Sequence, residues 1–212
     1  MRNSAITKNI QENLTPKSVL KDLLDGNNRY INNNLTPSNV TALVNETTKG
    51  QFPKAVILSC IDSRVPVEMV FDQTIGDIFV ARVAGNFENT DILGSMEYSC
   101  AVAGSKLIFV LGHENCGAVK AACDKVEMGN ITKMLENIYP ATKVASEKVE
   151  GELNSKNTEF VNKTVEENVR LTINRIRKKS PILEKMEASD KIAIVGGIYS
   201  LHTGKVRLLE HQ

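Results

Sequence analysis

Lys54-Ala55-Val56-Ile57-Leu58-Ser59-Cys60-Ile61-Asp62-Ser63-Arg64 is the stretch that decides how this chain reads. Its apolar run is short and is bounded by Pro53 and by the Asp62-Ser63 pair, the pattern of a central parallel strand buried on both faces. A thiol, a carboxylate and a guanidinium then follow at alternate positions. A second stretch repeats the design. Lys106 to Leu111 reads as another strand, and Gly112-His113-Glu114-Asn115-Cys116-Gly117 follows it directly. Both stretches put metal-ligand side chains where a strand ends and a helix begins.

Working outward, Ile78 to Val83 forms a strand that Gly85-Asn86 stops. Lys191 to Val195 forms another, broken by Gly196-Gly197, and Lys205 to Leu209 is a fifth, antiparallel at an edge. Helices fall between the strands. Thr15 caps one that opens on Pro16 and carries Val19, Leu20, Leu23 and Leu24 on one face. Shorter ones run from Pro66 through Phe71, from Ile92 to Ala103 behind Asp91 as cap, and from about Cys116 through Val126. Residues 131–150 and 158–179 read as two longer helices, and Ser180-Pro181 starts a short one. Strands alternating with helices predict an α/β fold, a central mostly parallel sheet flanked by helices. Residues 1–14 read as a flexible arm, 35–52 as a polar connection, and 15–212 as a single domain. The apolar face of the N-terminal helix is expected on a partner subunit, with its own domain as the alternative.

With 212 residues the chain can build one sizeable core. A net charge of +1 leaves no basic field for nucleic acid, which points to a small-molecule partner. The basic run Arg175-Ile176-Arg177-Lys178-Lys179 suits a solvated helix end, where cations complement the dipole. Four cysteines in a chain of this length are no disulfide framework and suit a reduced compartment with some thiols on metal. Met1-Arg2-Asn3-Ser4 has no apolar signal region, and no apolar run approaches the ~18 residues of a membrane span. The expected compartment is the cytoplasm, with the periplasm as the alternative for a chain whose leader has been removed.

Ligands of an α/β sheet gather at the carboxyl ends of its strands. If the strands ending at Cys60 and near His113 are neighbours, their side chains meet, and Cys116 joins them through a tight turn. Cys60, His113 and Cys116 then make the three-ligand set of a catalytic zinc with one open position. A helix beginning at Cys116 would favour its thiolate. Taken singly, a strand-end Cys is more often a small buried hydrophobe and a lone His a satisfied polar residue; it is the combination that points to metal. Cys100 and Cys123 read as packing, and His202 and His211 receive no role. Asp62 can reach the open position or the water there. Arg64 can fork its carboxylate, fix its orientation and keep it ionised.

Cys60-Ile61-Asp62-Ser63-Arg64-Val65-Pro66, Gly76 through Asn86, and Gly112 through Lys120 resemble the β-class carbonic anhydrases, and the resemblance extends from about Leu20 to Leu209. It implies a zinc enzyme, one ion per subunit, that reversibly hydrates carbon dioxide to bicarbonate and a proton. The reaction would use zinc-bound hydroxide oriented by the Asp62–Arg64 dyad. It also implies a homodimer or homotetramer in which a neighbouring subunit donates part of the pocket wall. By the same resemblance Gln51 is an active-site glutamine, Phe79 and Tyr98 line the substrate pocket, and Gly117 offers a backbone N–H to substrate. A closed state, in which Asp62 becomes the fourth zinc ligand, stays open at this point. The absence of Trp removes the usual form of the family's regulatory bicarbonate site. Two rivals remain: a zinc hydrolase of carbon disulfide or carbonyl sulfide, and a non-enzymatic zinc module closed by a fourth Cys or His.

Overall fold

The structure, a computed structural model, describes residues 1–210; His211 and Gln212 lie outside the described residues. In chain order the elements are α1 (Lys8–Glu12), α2 (Pro16–Ile31), α3 (Val40–Thr47), β1 (Ala55–Ser59), α4 (Val67–Val70) and β2 (Ile78–Arg82). Then come α5 (Thr90–Glu97), which continues as a π-helical turn over Tyr98–Val102, β3 (Leu107–His113), α6 (Gly117–Cys123), α7 (Gly129–Leu135) and α8 (Tyr139–Ser146). The chain finishes with α9 (Thr158–Lys179), α10 (Pro181–Ala188), β4 (Ala193–Tyr199) and β5 (Val206–Leu208).

The strands form one sheet in the order β2-β1-β3-β4-β5, parallel except for the antiparallel edge strand β5. This is the expected α/β architecture. From β1 the chain crosses to β2 on one side and then returns to place β3 on the other. The order therefore reverses between β1 and β3, which opens a crevice beyond their carboxyl ends. Strand periodicity divides the core in two. Val56 and Leu58 of β1 and Ile108 and Val110 of β3 face a layer containing α6 and α9. Ala55, Ile57, Leu107 and Phe109 face the other layer, with α2 and α4.

Several local expectations give way to packing. The segment 1–14, read as an arm, contains α1. Its Gln11 is buried, and Nε2 donates to the carbonyls of Pro53 (2.7 Å) and Ala103 (2.8 Å). On α2, Val19 and Leu23 are fully buried against β1 and β3 residues of their own chain, while Leu20 and Leu24 of the same face are half-buried. Residues 35–52 contain α3, capped by Asn39 and anchored by a single buried residue, Leu43. The cap of α5 is Asn89, whose side chain accepts from the Ile92 N–H, while Asp91 sits in the first turn. The 131–150 helix is two, because Pro140, without an N–H, begins α8 afresh. Strand β4 does not stop at Gly196-Gly197 but passes through them. A Cβ on Gly196 would lie 2.5 Å from Val169 Cγ1, and one on Gly197 would lie 2.9 Å from the Phe109 ring. These glycines let α9 and Phe109 close on the strand. The basic run at the end of α9 is also less solvated than expected: Arg175 and Lys179 both pair with the buried Glu88.

Candidate metal centre and active site

β1 and β3 pair with Ser59 opposite Leu111, so Cys60 and the Gly112-His113 pair leave the sheet side by side at the crevice. Asn115, in the left-handed region at φ 52°, turns the chain back so that Cys116 caps α6 beside them. The result is a buried cluster: Cys60, His113 and Cys116 each offer a ligand atom, all within 4.8 Å of one another. The Sγ atoms of Cys60 and Cys116 are 3.9 Å apart. Two thiolates on one tetrahedral zinc, each about 2.3 Å from the ion, stand ~3.8 Å apart. His113 Nδ1 lies 2.8 Å from the Glu114 carbonyl oxygen. A carbonyl only accepts, so Nδ1 carries the proton and Nε2 carries the free lone pair, as metal ligation requires. That Nε2 is buried with no hydrogen-bond partner among the described residues. Leaving it so would cost about 1–3 kcal/mol, and a shared cation removes the cost. Two soft thiolates with one imidazole favour zinc.

The two thiols divide their roles electrostatically. A hydrogen bond from Cys116 pulls the Cys60 thiol down, against the opposing effect of burial, with His113 and the Gly85 and Asp62 backbone adding to the pull. Cys116 goes the other way. Backbone N–H groups of Ala118 and Val119 at the start of α6 do favour its thiolate, as the helix position predicts. Hydrogen bonding to Cys60, together with burial, outweighs them and raises it. The pair thus holds one negative charge readily, and a cation is what brings it to two. Cys100 and Cys123 are buried outside the cluster, and burial pushes the Cys100 thiol up to about 12.

Asp62 stands at the mouth of the cluster. Arg64 forks it: Nε donates to Oδ1 at 2.9 Å, Nη2 to Oδ2 at 2.8 Å, and the Arg64 backbone N–H also to Oδ1 at 2.9 Å. These bonds hold the carboxyl down at about 2. Oδ2 is 3.8 Å from His113 Nε2, beside the donor set but outside the tight cluster. Two supports are invisible in the sequence pattern. Arg82, at the end of β2, donates Nε to the Cys60 carbonyl (2.8 Å) and Nη2 to the Asp62 carbonyl (2.7 Å), bracing the loop from behind. Gly85 N–H donates to Cys60 Sγ at 3.4 Å. Their only local signals are a charge at a strand's carboxyl end and the glycine of the next turn.

Of the other expected site residues, Phe79, Tyr98 and Gln51 line separate hollows, and Gly117 adjoins the cluster. Phe79 and Tyr98 meet edge to face, ring centroids 6.2 Å apart, and line a groove of about 570 Å³ beside β2 with Val56, Ala81 and Gly94. Tyr98 is half exposed. Gln51 is exposed and borders a separate hollow with Thr47 and Gly76. Neither the groove nor the hollow is lined by Cys60, His113 or Cys116. Gly117 is the exposed first residue of α6, adjoining Cys116, with open space where a side chain would stand.

A parallel sheet with a Cys-His-Cys donor set at its switch point defines an α/β metalloprotein with a catalytic type of zinc site. Comparison with known proteins gives the family. The carbonic anhydrase family model matches residues 55–206. A carbonic anhydrase of Mycolicibacterium smegmatis is 34% identical over 205 residues, covering 94% of this chain and 96% of that one. Carbonic anhydrase 2 of Mycobacterium tuberculosis is 35% identical over 207 residues, covering 94% and 95%. Among solved structures, the β-carbonic anhydrase of Coccomyxa in complex with acetazolamide superposes with a TM-score of 0.70 at 26% identity, over 80% of this chain and 77% of that one. One from Sordaria macrospora, described as tetrameric, shares the fold with a TM-score of 0.70 at 23% identity, over 79% and 86%. The chain belongs to the carbonic anhydrase family, β class.

Proposed function

We propose that this chain catalyses the reversible hydration of carbon dioxide to bicarbonate and a proton, the activity its relatives' names carry. The observation that carries the reading is the buried Cys60, His113 and Cys116 set with a forked, ionised Asp62 at its mouth. In this reading those three side chains hold one zinc per chain. Zinc held there would supply Lewis acidity and so make a nucleophile available from water near neutral pH.

The protein's own groups do the rest. Asp62, held down at about 2, carries no proton at neutral pH. It therefore serves as a hydrogen-bond acceptor that orients the attacking oxygen, not as the base that removes its proton. Arg64 fixes the direction in which Asp62 accepts. The Gly117 N–H is assigned to a substrate oxygen. Gln51, Phe79 and Tyr98 are assigned to the pocket wall, Gln51 as a hydrogen-bond donor to developing negative charge. In the homodimer or homotetramer of this reading they complete a neighbouring copy's site. Residues 15–212 act as one domain in this scheme. No helix among the described residues is long and apolar enough to cross a membrane; the proposed compartment is the cytoplasm.

Hydration of carbon dioxide, assayed beside hydrolysis of carbonyl sulfide and carbon disulfide, tests the reading. Fast hydration that is lost when a chelator strips the metal and regained with zinc is expected. Turnover of the sulfur compounds alone would shift the assignment to the rival hydrolase.

A further inference from the structure

The buried face of α9 carries polar residues, Thr164, Glu167, Asn168 and Thr172, among its apolar ones, and Asn168 is the one that bonds the loop beside the metal centre. Asn168 lies between Val165 and Val169 and is 1% exposed. A polar side chain in such a place is costly unless bonded. Asn168 makes one bond: Nδ2 donates to the Gly85 carbonyl at 2.7 Å, and because a carbonyl only accepts, the amide's orientation is settled. Its Oδ1 has no partner among the described residues. Asn168 thus offers a single donated bond, to the residue whose own N–H points at Cys60 Sγ, 3.4 Å away.

Gly85 cannot hold this place by backbone preference alone. It sits at φ +86°, and a Cβ there would come 2.5 Å from Ile138 Cδ1. A glycine in the left-handed region has many accessible alternatives. An anchor on its carbonyl, together with the Asn86 N–H that donates to the Val83 carbonyl at 3.0 Å, restricts them and favours the one that presents the N–H to sulfur. An N–H donated to a ligating thiolate takes up part of the sulfur's charge and fixes its lone pairs, as outer hydrogen bonds do for metal ligands generally.

We infer that Asn168 is a positioning residue for the metal centre: from the middle of α9 it orients Gly85 so that a backbone amide supports the Cys60 ligand. The inference rests on the zinc-site reading above, and metal analysis of the wild type tests that reading separately.

Two measurements test the relay. In the wild-type protein loaded with cadmium-113, the Gly85 amide should show scalar coupling to the metal through the N–H···S bond. In Asn168→Ala, zinc affinity measured by chelator competition should fall about 10- to 100-fold. The thiolate-to-metal charge-transfer band of its cobalt form should shift as well. Thr164→Val is the control: Thr164 is also buried on α9, but its hydroxyl meets only the Phe160 carbonyl and Cys123. It should lose stability while keeping wild-type zinc affinity and an unshifted band. A metal-loaded wild type without the Gly85 coupling overturns the inference alone, whether or not the alanine variant folds. So does an Asn168→Ala protein with native affinity and spectrum, or a Thr164→Val protein that loses zinc equally. A wild type that binds no zinc overturns both this inference and the site reading.

Discussion

Replacing Asp62 by asparagine probes the centre with almost no change in volume. The amide side chain would keep Oδ1 and with it the bonds from Arg64 Nε and the Arg64 backbone N–H, both 2.9 Å in the native protein. In place of Oδ2 would stand an NH₂ group facing Arg64 Nη2, where donor would meet donor at the present 2.8 Å. The fork loses one arm, and the oriented, negatively charged acceptor is gone. A hydrogen bond to a charged group contributes about 1.5–3 kcal/mol. Lost from the transition state, that is about a 10- to 150-fold fall in kcat/KM. Stopped-flow hydration of carbon dioxide, with zinc content measured on the same samples, supplies the assay. Zinc should stay at the wild-type level, because Asp62 lies outside the donor cluster. Unchanged rates with zinc still bound would remove Asp62 from the mechanism. Loss of zinc would mean that the carboxylate is itself a ligand.

The carboxyl of Asp62 should titrate near 2 by carbon-13 NMR, whereas Arg64→Ala should raise it toward the ordinary value of 3.8. A depressed folded-state value means that the fork contributes stability above pH ~4 and loses it as pH falls toward 2, so Asp62 should leave no inflection in the neutral activity profile. A wild-type carboxyl titrating near 4 would contradict this. Cys100→Ser and Cys123→Ser should each keep the full zinc content, since neither thiol belongs to the cluster; a drop in metal would revive a closed, structural site. Gly196→Ala should lower Tm by about 2–12 °C, from an overpacking cost of about 1–3 kcal/mol, because its Cβ meets Val169 and Ile173. An unchanged Tm would indicate a strand that ends before the glycine pair.

What was legible in the sequence is what local chemistry specifies. The runs at Ala55–Leu58 and Leu107–Leu111 announce buried strands, and the ligand types just beyond each run announce a shared ion. Thr15-Pro16 and Ser180-Pro181 mark helix starts through capping and a fixed φ, and both appear where expected. Tertiary context concealed the rest. Gly196-Gly197 has the composition of a break, yet the demand is for a thin residue beneath α9 at Gly196 and another beside Phe109 at Gly197, which only packing reveals. Helix α3 is short and only Leu43 of it is buried, so little of it is fixed by the core. Gln11 and Asn168 look like ordinary surface polar residues, since nothing local tells that their partners, Pro53 and Gly85, lie far away in the chain. Arg82 carries the same lesson at the site: its bonds go to backbone carbonyls, which leave no mark in a sequence.

X-ray absorption at the zinc edge addresses the shared ion most directly. Two sulfur neighbours near 2.3 Å, one imidazole nitrogen near 2.0–2.1 Å and one further light atom are expected, with roughly half the sulfur signal lost in Cys116→Ser. Four protein sulfur or nitrogen neighbours, or no zinc in protein purified with it, would contradict an ion held by Cys60, His113 and Cys116 with one corner open.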